Sequence, residues 1–203
     1  MACLEIGRVA FPRFYLLSNV ELLKILAQTK NPHAVQPHLR KCFDVIARIE
    51  FGMKEGEKRG EKFQTNDIIA MVSPEGEKVQ FNRGLKARGS VEEWLGKVEE
   101  AMFTALKRCM KYAYQVYKSL DRIPWMSDQP SRVVLTVSQQ QWAEEVMKNL
   151  VEFEKKSMKD LSSLAAMAGT SLNPLLRRVL CGLITIDVHA KDTIAMMIES
   201  RVT

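Results

Sequence analysis

The 203-residue chain has little glycine (10) and little proline (7), and no run of eighteen apolar residues occurs in it. The missing apolar run predicts that no helix spans a membrane. The first ten residues lack a charged segment followed by an apolar one, so we expect no secretory signal there. With 46% hydrophobic and 27% charged residues, the composition excludes a wholly disordered or collagen-like chain. The length suits one domain or two small ones.

Several motifs that carry chemistry are also missing. Neither G-x-x-x-x-G-K-[ST] nor G-x-G-x-x-G is present, so no glycine-rich loop is predicted to hold phosphates. Neither G-x-S-x-G nor H-E-x-x-H is present. No C-x-x-C occurs, because the four cysteines are widely separated at Cys3, Cys42, Cys109 and Cys181. We therefore predict free thiols in a reducing compartment, no metal site and no cofactor.

The formal net charge of +6 raises the possibility of an anionic partner such as nucleic acid. The densest basic group, within residues 54–62, is interleaved with Glu55, Glu57 and Glu61. Charges of mixed sign screen one another, so this segment is typical of a solvated loop. We predict neither a nucleic acid nor a membrane as partner.

The first half of the chain mixes helical and strand patterns. Pro12 predicts an extended segment over residues 8–17. Ser18 and Glu21 form a capping box that begins a short helix. A second helix is predicted from Pro37 to Gly52, because apolar residues recur at helical spacing (Leu39, Cys42, Phe43, Ile46 and Ile49). Residues 52–66 are charged and aperiodic and are predicted to form an exposed loop.

A β-hairpin is predicted next. Residues 67–72 have a strand-like composition, and Val79 and Phe81 alternate with polar residues after the turn Ser73–Gly76. Pro74 presets the angle of the turn and Gly76 can adopt a positive φ. An isolated hairpin is marginally stable, so this one must pack against other elements.

The second half of the chain is predicted to be helical. A capping box at Ser90 and Glu93 starts a helix of roughly 30 residues, and residues 121–137 are predicted to be irregular, with Trp125 in a loop. A helix of about 25 residues follows from Ser138, and the last helix starts at Pro174 after a break at residues 169–171. The expected fold is mainly α, an elongated antiparallel helical bundle with one small β-hairpin. We expect residues 1–90 and 91–203 to form two parts of one continuous module.

The strongest catalytic or metal-binding candidate is the segment with Asp187, His189 and Asp192. On a helix His189 and Asp192 share a face, but Asp187 points about 160° away from His189. Three ligands therefore do not converge, and an ordinary polar helix face is favoured. A small hydrolase that depends on His189 is kept as an alternative.

Six segments, in order along nearly the whole chain, resemble dynein heavy chains in the C-terminal part of the linker region just before the AAA+ ring. They are residues 10–19 (AFPRFYLLSN), 35–43 (VQPHLRKCF), 73–79 (SPEGEKV), 91–95 (VEEWL), 133–139 with Trp142 (VVLTVSQ), and 186–192 (IDVHAKD). Each segment alone is a weak signal, but six in the family order are specific. The pattern is closer to axonemal than to cytoplasmic members.

The resemblance implies a mechanical role. In dyneins the linker is a helical rod that bends and straightens across an ATPase ring and transmits force to the tail. It implies that this chain is not itself an enzyme, although the parent motor would be an ATPase. The implied partners are the AAA+ ring of the same heavy chain and the subunits of the dynein complex, in the cytoplasm and cytoskeleton and in the cilium or axoneme. The residues expected to make contacts are Pro74, Glu75, Gly76 and Trp125.

The chain also departs from the family pattern. Residues 52–66 are longer than expected, Gln129–Arg132 replaces a usual Trp-Pro-Gly-Gln, and Val20 replaces an acidic residue. The chain starts with Met1 and contains no ATP-binding module. The alternative is therefore a free-standing helical adaptor derived from a truncated dynein-like gene.

Overall fold

The computed structural model describes residues 2–28, 31–55, 62–148 and 150–200. The chain divides into two compact units, which are Met1–Lys107 and Arg108–Thr203. The boundary predicted between residues 90 and 91 stays a prediction. No helix of the described residues is long and apolar enough to cross a membrane.

The first unit combines short helices with a three-stranded sheet, and within the described ranges its elements are as follows. The helices are α1 (Ala2–Ala10), α2 (Asn19–Leu26) and α3 (Leu39–Cys42), with 3₁₀ helices at Pro12–Leu16 and Pro32–His38. The strands are β1 (Arg48–Glu55), β2 (Lys62–Val72) and β3 (Lys78–Lys86), followed by the first part of α4 (Val91–Val116).

The regular secondary structure in the described part of the second unit is all helical. It contains the end of α4, then α5 (Arg122–Asp128), α6 (Ser131–Lys148), α7 (Leu150–Ala168) and α8 (Pro174–Glu199). Helices α6, α7 and α8 pack against one another. The chain is therefore mainly α with one small antiparallel sheet, which confirms the predicted fold class at that level.

The hairpin prediction is confirmed, but the sheet is larger than predicted. β2 pairs antiparallel with β3, with Met71 opposite Val79. β1 pairs antiparallel with the other edge of β2, with Ile49 opposite Met71. The order β1-β2-β3 buries one apolar row from each strand, as at Phe51, Ile68 and Phe81.

The predicted helix over residues 37–52 is wrong beyond its first turns. Pro37 lies in a 3₁₀ helix, α3 ends at Cys42, and β1 begins at Arg48. The spacing of Ile49 and Phe51 fits the two-residue period of a strand, and the spacing of Ile46 and Ile49 fits a helix equally well. Pairing with β2 supplies the hydrogen bonds that select the strand.

Two further predictions in the first unit are wrong. Residues 8–17 are mostly helical rather than extended, and only Phe11 and Leu17 have extended backbone angles. Pro12 occupies the first turn of a 3₁₀ helix, where its missing N–H costs nothing. The predicted loop over residues 52–66 is strand at 52–55 and 62–66. Its middle, residues 56–61, lies outside the described residues.

The helix predicted from Ser90 is confirmed as α4, which begins at Val91 and ends at Val116 rather than near Leu120. Residues 121–137 are not irregular, because α5 and the start of α6 lie there. Ser138 is therefore a buried residue inside α6 and not a helix cap. The single helix predicted from Ser138 corresponds to two helices, α6 and α7. Asn149, between them, lies outside the described residues. The start of α8 at Pro174 is confirmed, with Asn173 as its N-cap.

Candidate interaction sites

The turn between β2 and β3 is held tightly by its own hydrogen bonds. The backbone N–H of Gly76 donates to the carbonyl oxygen of Ser73 at 3.0 Å. The backbone N–H of Ser73 in turn donates to the carbonyl oxygen of Glu77 at 2.9 Å. The Ser73 hydroxyl oxygen accepts from the N–H groups of Glu75 and Glu77, each at 3.2 Å. Gly76 has a φ of +89°, which only glycine adopts at little cost. The turn thus has a defined shape.

Pro74, Glu75 and Gly76 are all exposed on this turn. Behind the turn, Glu50 of β1 forms ion pairs with Lys78 of β3 and, at 3.8 Å, with Arg48. The pair with Lys78 ties the two outer strands together across β2, while the pair with Arg48 lies within β1. The structure therefore places three of the four predicted contact residues together at the tip of a braced hairpin.

Trp125 lies elsewhere and in a different environment. It belongs to α5 rather than to a loop, and its side chain is fully buried. The indole Nε1–H donates to the carbonyl oxygen of Ala113 at 2.9 Å, and the Tyr117 ring meets it edge-on with centroids 4.9 Å apart. Trp125 consequently holds α5 against the end of α4, and its burial leaves no surface for a partner in this fold.

A charged cluster missed by the sequence analysis joins three helices of the second unit. Arg122 of α5 donates to Asp160 of α7 at 3.2 Å and to Asp187 of α8 at 2.5 Å. Burial raises the pKa of Asp187 above its ordinary value. The charge and the hydrogen bond of Arg122 favour the carboxylate and oppose this rise, but burial is the larger effect. Burial also raises the pKa of Tyr117 beside them. No sequence signal identifies this cluster, because its members are separated by 38 and 65 residues.

The His189 alternative gains no support from the geometry. Asp187 is engaged by Arg122, while His189 and Asp192 are both exposed on α8. Among the described residues, no group of three or more His, Cys, Asp or Glu side chains could hold a metal ion. The arrangement offers an interaction surface at the hairpin tip and a structural cluster at Arg122.

Comparison with known proteins decides the family. The family "Dynein heavy chain, N-terminal region 2" matches residues 2–113, more than half of the chain. The chain belongs to the dynein heavy chain family. The match covers the whole sheet of this heavy-chain segment and most of α4.

Axonemal heavy chains are among the relatives of this dynein heavy chain segment. It is 52% identical over 221 residues to human dynein axonemal heavy chain 6, a match that covers 99% of this chain and 5% of the relative. It is 38% identical over 205 residues to human dynein axonemal heavy chain 1, a match that covers 98% of this chain and 4% of the relative. It is 37% identical over 208 residues to human dynein axonemal heavy chain 3, a match that covers 98% of this chain and 5% of the relative. The chain thus spans about one twentieth of the length of these relatives.

Proposed function

We propose that this chain is a mechanical linker segment of an axonemal dynein motor, the C-terminal part of the linker region that precedes the AAA+ ring. Its role is to pass nucleotide-driven changes of the ring toward the tail. It has no catalytic activity of its own in this proposal. The observation that carries the proposal is the similarity to axonemal heavy chains along 98% or more of the chain. The expected location is the cytoskeleton of the cilium or axoneme.

The hairpin tip is the contact point in this proposal. A linker moves only if it binds one state of the ring more tightly than another. A surface that discriminates between states must keep its own shape, and the Ser73 hydroxyl and the Glu50 ion pairs provide that stiffness. Pro74, Glu75 and Gly76 present this rigid, exposed surface to the AAA+ ring of the same heavy chain.

Trp125 has a different part in the proposal. Because its side chain is buried and bonded to Ala113, it contributes to the stability of the second unit rather than to ring contact. A change at Trp125 should therefore alter folding before it alters docking.

The test uses a heavy chain motor that carries this segment. The double variant Pro74→Ala, Glu75→Ala removes the two side chains at the tip and leaves Gly76 and Ser73 to form the turn. We expect microtubule gliding to slow several-fold while ATP hydrolysis continues, because the ring would cycle without moving the linker. The 203-residue chain with the same changes should keep its Tm within a few degrees.

A matched control is Gln115→Ala with Lys118→Ala, which removes one exposed side chain at the end of α4 and one just beyond it. This control should leave gliding unchanged. Equal gliding velocities for the tip variant and the control would exclude the tip as the contact point. Equal loss in both would indicate a general effect of surface changes.

The size of the native polypeptide tests the linker assignment itself. An antibody against residues 52–66 should detect one very large band, confined to ciliated tissue. A band near 23 kDa, the mass of this chain, would contradict the linker proposal and favour the helical adaptor. The search would then turn to the partner of that adaptor.

A further inference from the structure

The second unit contains a small polar cavity in its helical core. The cavity has a volume of about 20 Å³ and lies between α5, α6, α7 and α8. Its walls include the guanidinium of Arg122, the side chains of Ser138 and Trp142, and the carboxylates of Asp160 and Asp187. A cavity this polar is unusual in a helical core, where apolar residues normally fill the space.

Three hydrogen-bonding atoms on this wall lack a protein partner. The Nε of Arg122, the Oγ of Ser138 and the Nε1 of Trp142 are buried, and none has a hydrogen-bond partner among the described residues. Ser138 retains only 4% of its exposure. Leaving a buried donor unpaired costs about 1–3 kcal/mol, so three such atoms at one cavity indicate a bound group that pairs with them.

The charges on the wall decide the chemistry of that group. The N–H groups of Arg122 and Trp142 can only donate, so the bound group must accept hydrogen bonds. A metal cation cannot accept them and is excluded. A small anion would accept them, but it would lie beside three carboxylates, those of Asp160, Asp187 and Glu145. Only two positive charges lie nearby, those of Arg122 and of Lys156, which pairs with Glu145 at 2.6 Å. Repulsion by the excess carboxylate charge disfavours an anion.

A water molecule satisfies both requirements, because it accepts two hydrogen bonds and donates two. A cavity needs about 10–15 Å³ to hold one water, which typically makes about three hydrogen bonds. We propose that this cavity is a binding site for one ordered water, which accepts from Arg122 Nε and Trp142 Nε1 and bonds the Ser138 hydroxyl. Arg122 already holds α5 to α7 and α8. The water extends this network to α6, which carries Ser138 and Trp142.

The two tryptophans of the second unit allow a direct test. In the ¹⁵N-tryptophan-labelled 203-residue chain, a long-lived water beside Trp142 gives a dipolar cross-peak between water and its indole proton in a rotating-frame NMR experiment. Its sign separates the dipolar peak from proton exchange. Trp125 is the internal control, because its buried Nε1–H is bonded to Ala113 instead. The chain has three tryptophans, and single Trp→Phe variants assign their indole signals, with the last signal assigned by elimination.

We expect a dipolar water peak at Trp142 and none at Trp125. Absence of the peak at Trp142, or equal peaks at both indoles, would overturn the proposal. This comparison is made on the unmodified chain, and the signals can still be assigned if one of the three Trp→Phe variants fails to fold.

A cavity-filling variant gives a second readout. Ser138→Val removes the hydroxyl and fills the space, so the Trp142 peak should disappear. The matched control Ser162→Val, an exposed serine on α7, should keep the peak at full intensity. A Trp142 peak that persists in a folded Ser138→Val chain would assign the water to another place and contradict the proposal.

Discussion

The side chain of Gln36 forms two hydrogen bonds with the backbone of Ile49. Its Nε2 donates to the carbonyl oxygen of Ile49 at 2.6 Å, and its Oε1 accepts from the Ile49 N–H at 3.1 Å. The amide thereby replaces one residue of a neighbouring strand at the outer edge of β1. This contact satisfies an edge that would otherwise expose unpaired backbone groups. It also joins the 3₁₀ helix Pro32–His38 to the sheet.

Gln36→Ala should destabilise the first unit by about 1–3 kcal/mol, because it leaves the N–H and C=O of the buried Ile49 unpaired. Gln36→Glu should not restore the stability, since a carboxylate cannot donate to the Ile49 carbonyl. Urea denaturation measures the difference. Gln115→Ala, at an exposed helical site, serves as control and should change stability by less than about 0.5 kcal/mol. A Gln36→Ala chain as stable as this control would exclude an energetic role for the two bonds.

Glu21 provides a prediction for pH. The hydrogen bond from Lys41, followed by those from the backbone and side chain of Ser18, lowers the pKa of Glu21 from its ordinary value of 4.5 to about 2. A lowered carboxylate pKa stabilises the folded state above the unfolded value, and this contribution is lost as the pH falls from about 4.5 toward 2. NMR titration of the Glu21 carboxyl carbon should give a midpoint near 2.

Lys41→Ala removes the largest cause and should move the Glu21 midpoint upward. Lys24→Ala is the matched control, because Lys24 is an exposed cation on α2 and is not among the causes of the Glu21 shift. If both variants titrate like the unmodified chain, the Lys41 hydrogen bond is not the cause.

Arg122→Leu should be strongly destabilising. The change leaves the carboxylates of Asp160 and Asp187 without their cation, and the loss of one partner from a largely buried ion pair costs about 3 kcal/mol. Urea denaturation at pH 7 measures the loss. The double variant Arg122→Leu, Asp187→Leu should recover part of it, because it also removes a buried charge. Arg132→Leu, at an exposed position of α6, should have little effect.

Trp125→Phe isolates the hydrogen bond to Ala113 from the packing of the ring. The Phe variant keeps an aromatic ring beside Tyr117 but loses the Nε1–H donor, so we expect a loss of about 1–3 kcal/mol. Trp125→Ala also creates a cavity and should cost about 3–5 kcal/mol. Thermal unfolding followed by far-UV circular dichroism measures both. Equal losses would mean that the packing contributes nothing beyond the hydrogen bond.

Asn173→Ala should weaken the start of α8. The Asn173 side chain accepts a hydrogen bond from the Leu176 N–H at 2.8 Å, and loss of an N-cap costs about 1 kcal/mol. Asn173→Asp keeps an oxygen acceptor at the cap and should retain most of the stability. Urea denaturation of the two variants compares them directly, and an Asp variant as unstable as Ala would argue against capping.

Local patterns account for the parts of this fold that were predicted correctly. The capping box of Ser18 and Glu21 involves residues only three apart. The turn Ser73–Gly76 depends on its own backbone and on a glycine with positive φ. The start of α8 depends on Pro174 and the residue before it. Each is decided by neighbours in the chain, and so each can be recognised without the tertiary structure.

The motifs shared with dynein heavy chains are likewise properties of the sequence itself, and they were sufficient to indicate the family. Tertiary structure alone decided three other features: that residues 48–55 form a strand, that Trp125 is buried, and that Arg122 meets Asp160 and Asp187. The physical reason is the same in each case. The apolar spacing around Ile49 satisfies both a helix and a strand, and only pairing with β2 and Gln36 selects the strand. The hydrogen-bond partners of Trp125 and Arg122 lie 12 to 65 residues away, where the packing of helices, not any local pattern, brings them into contact.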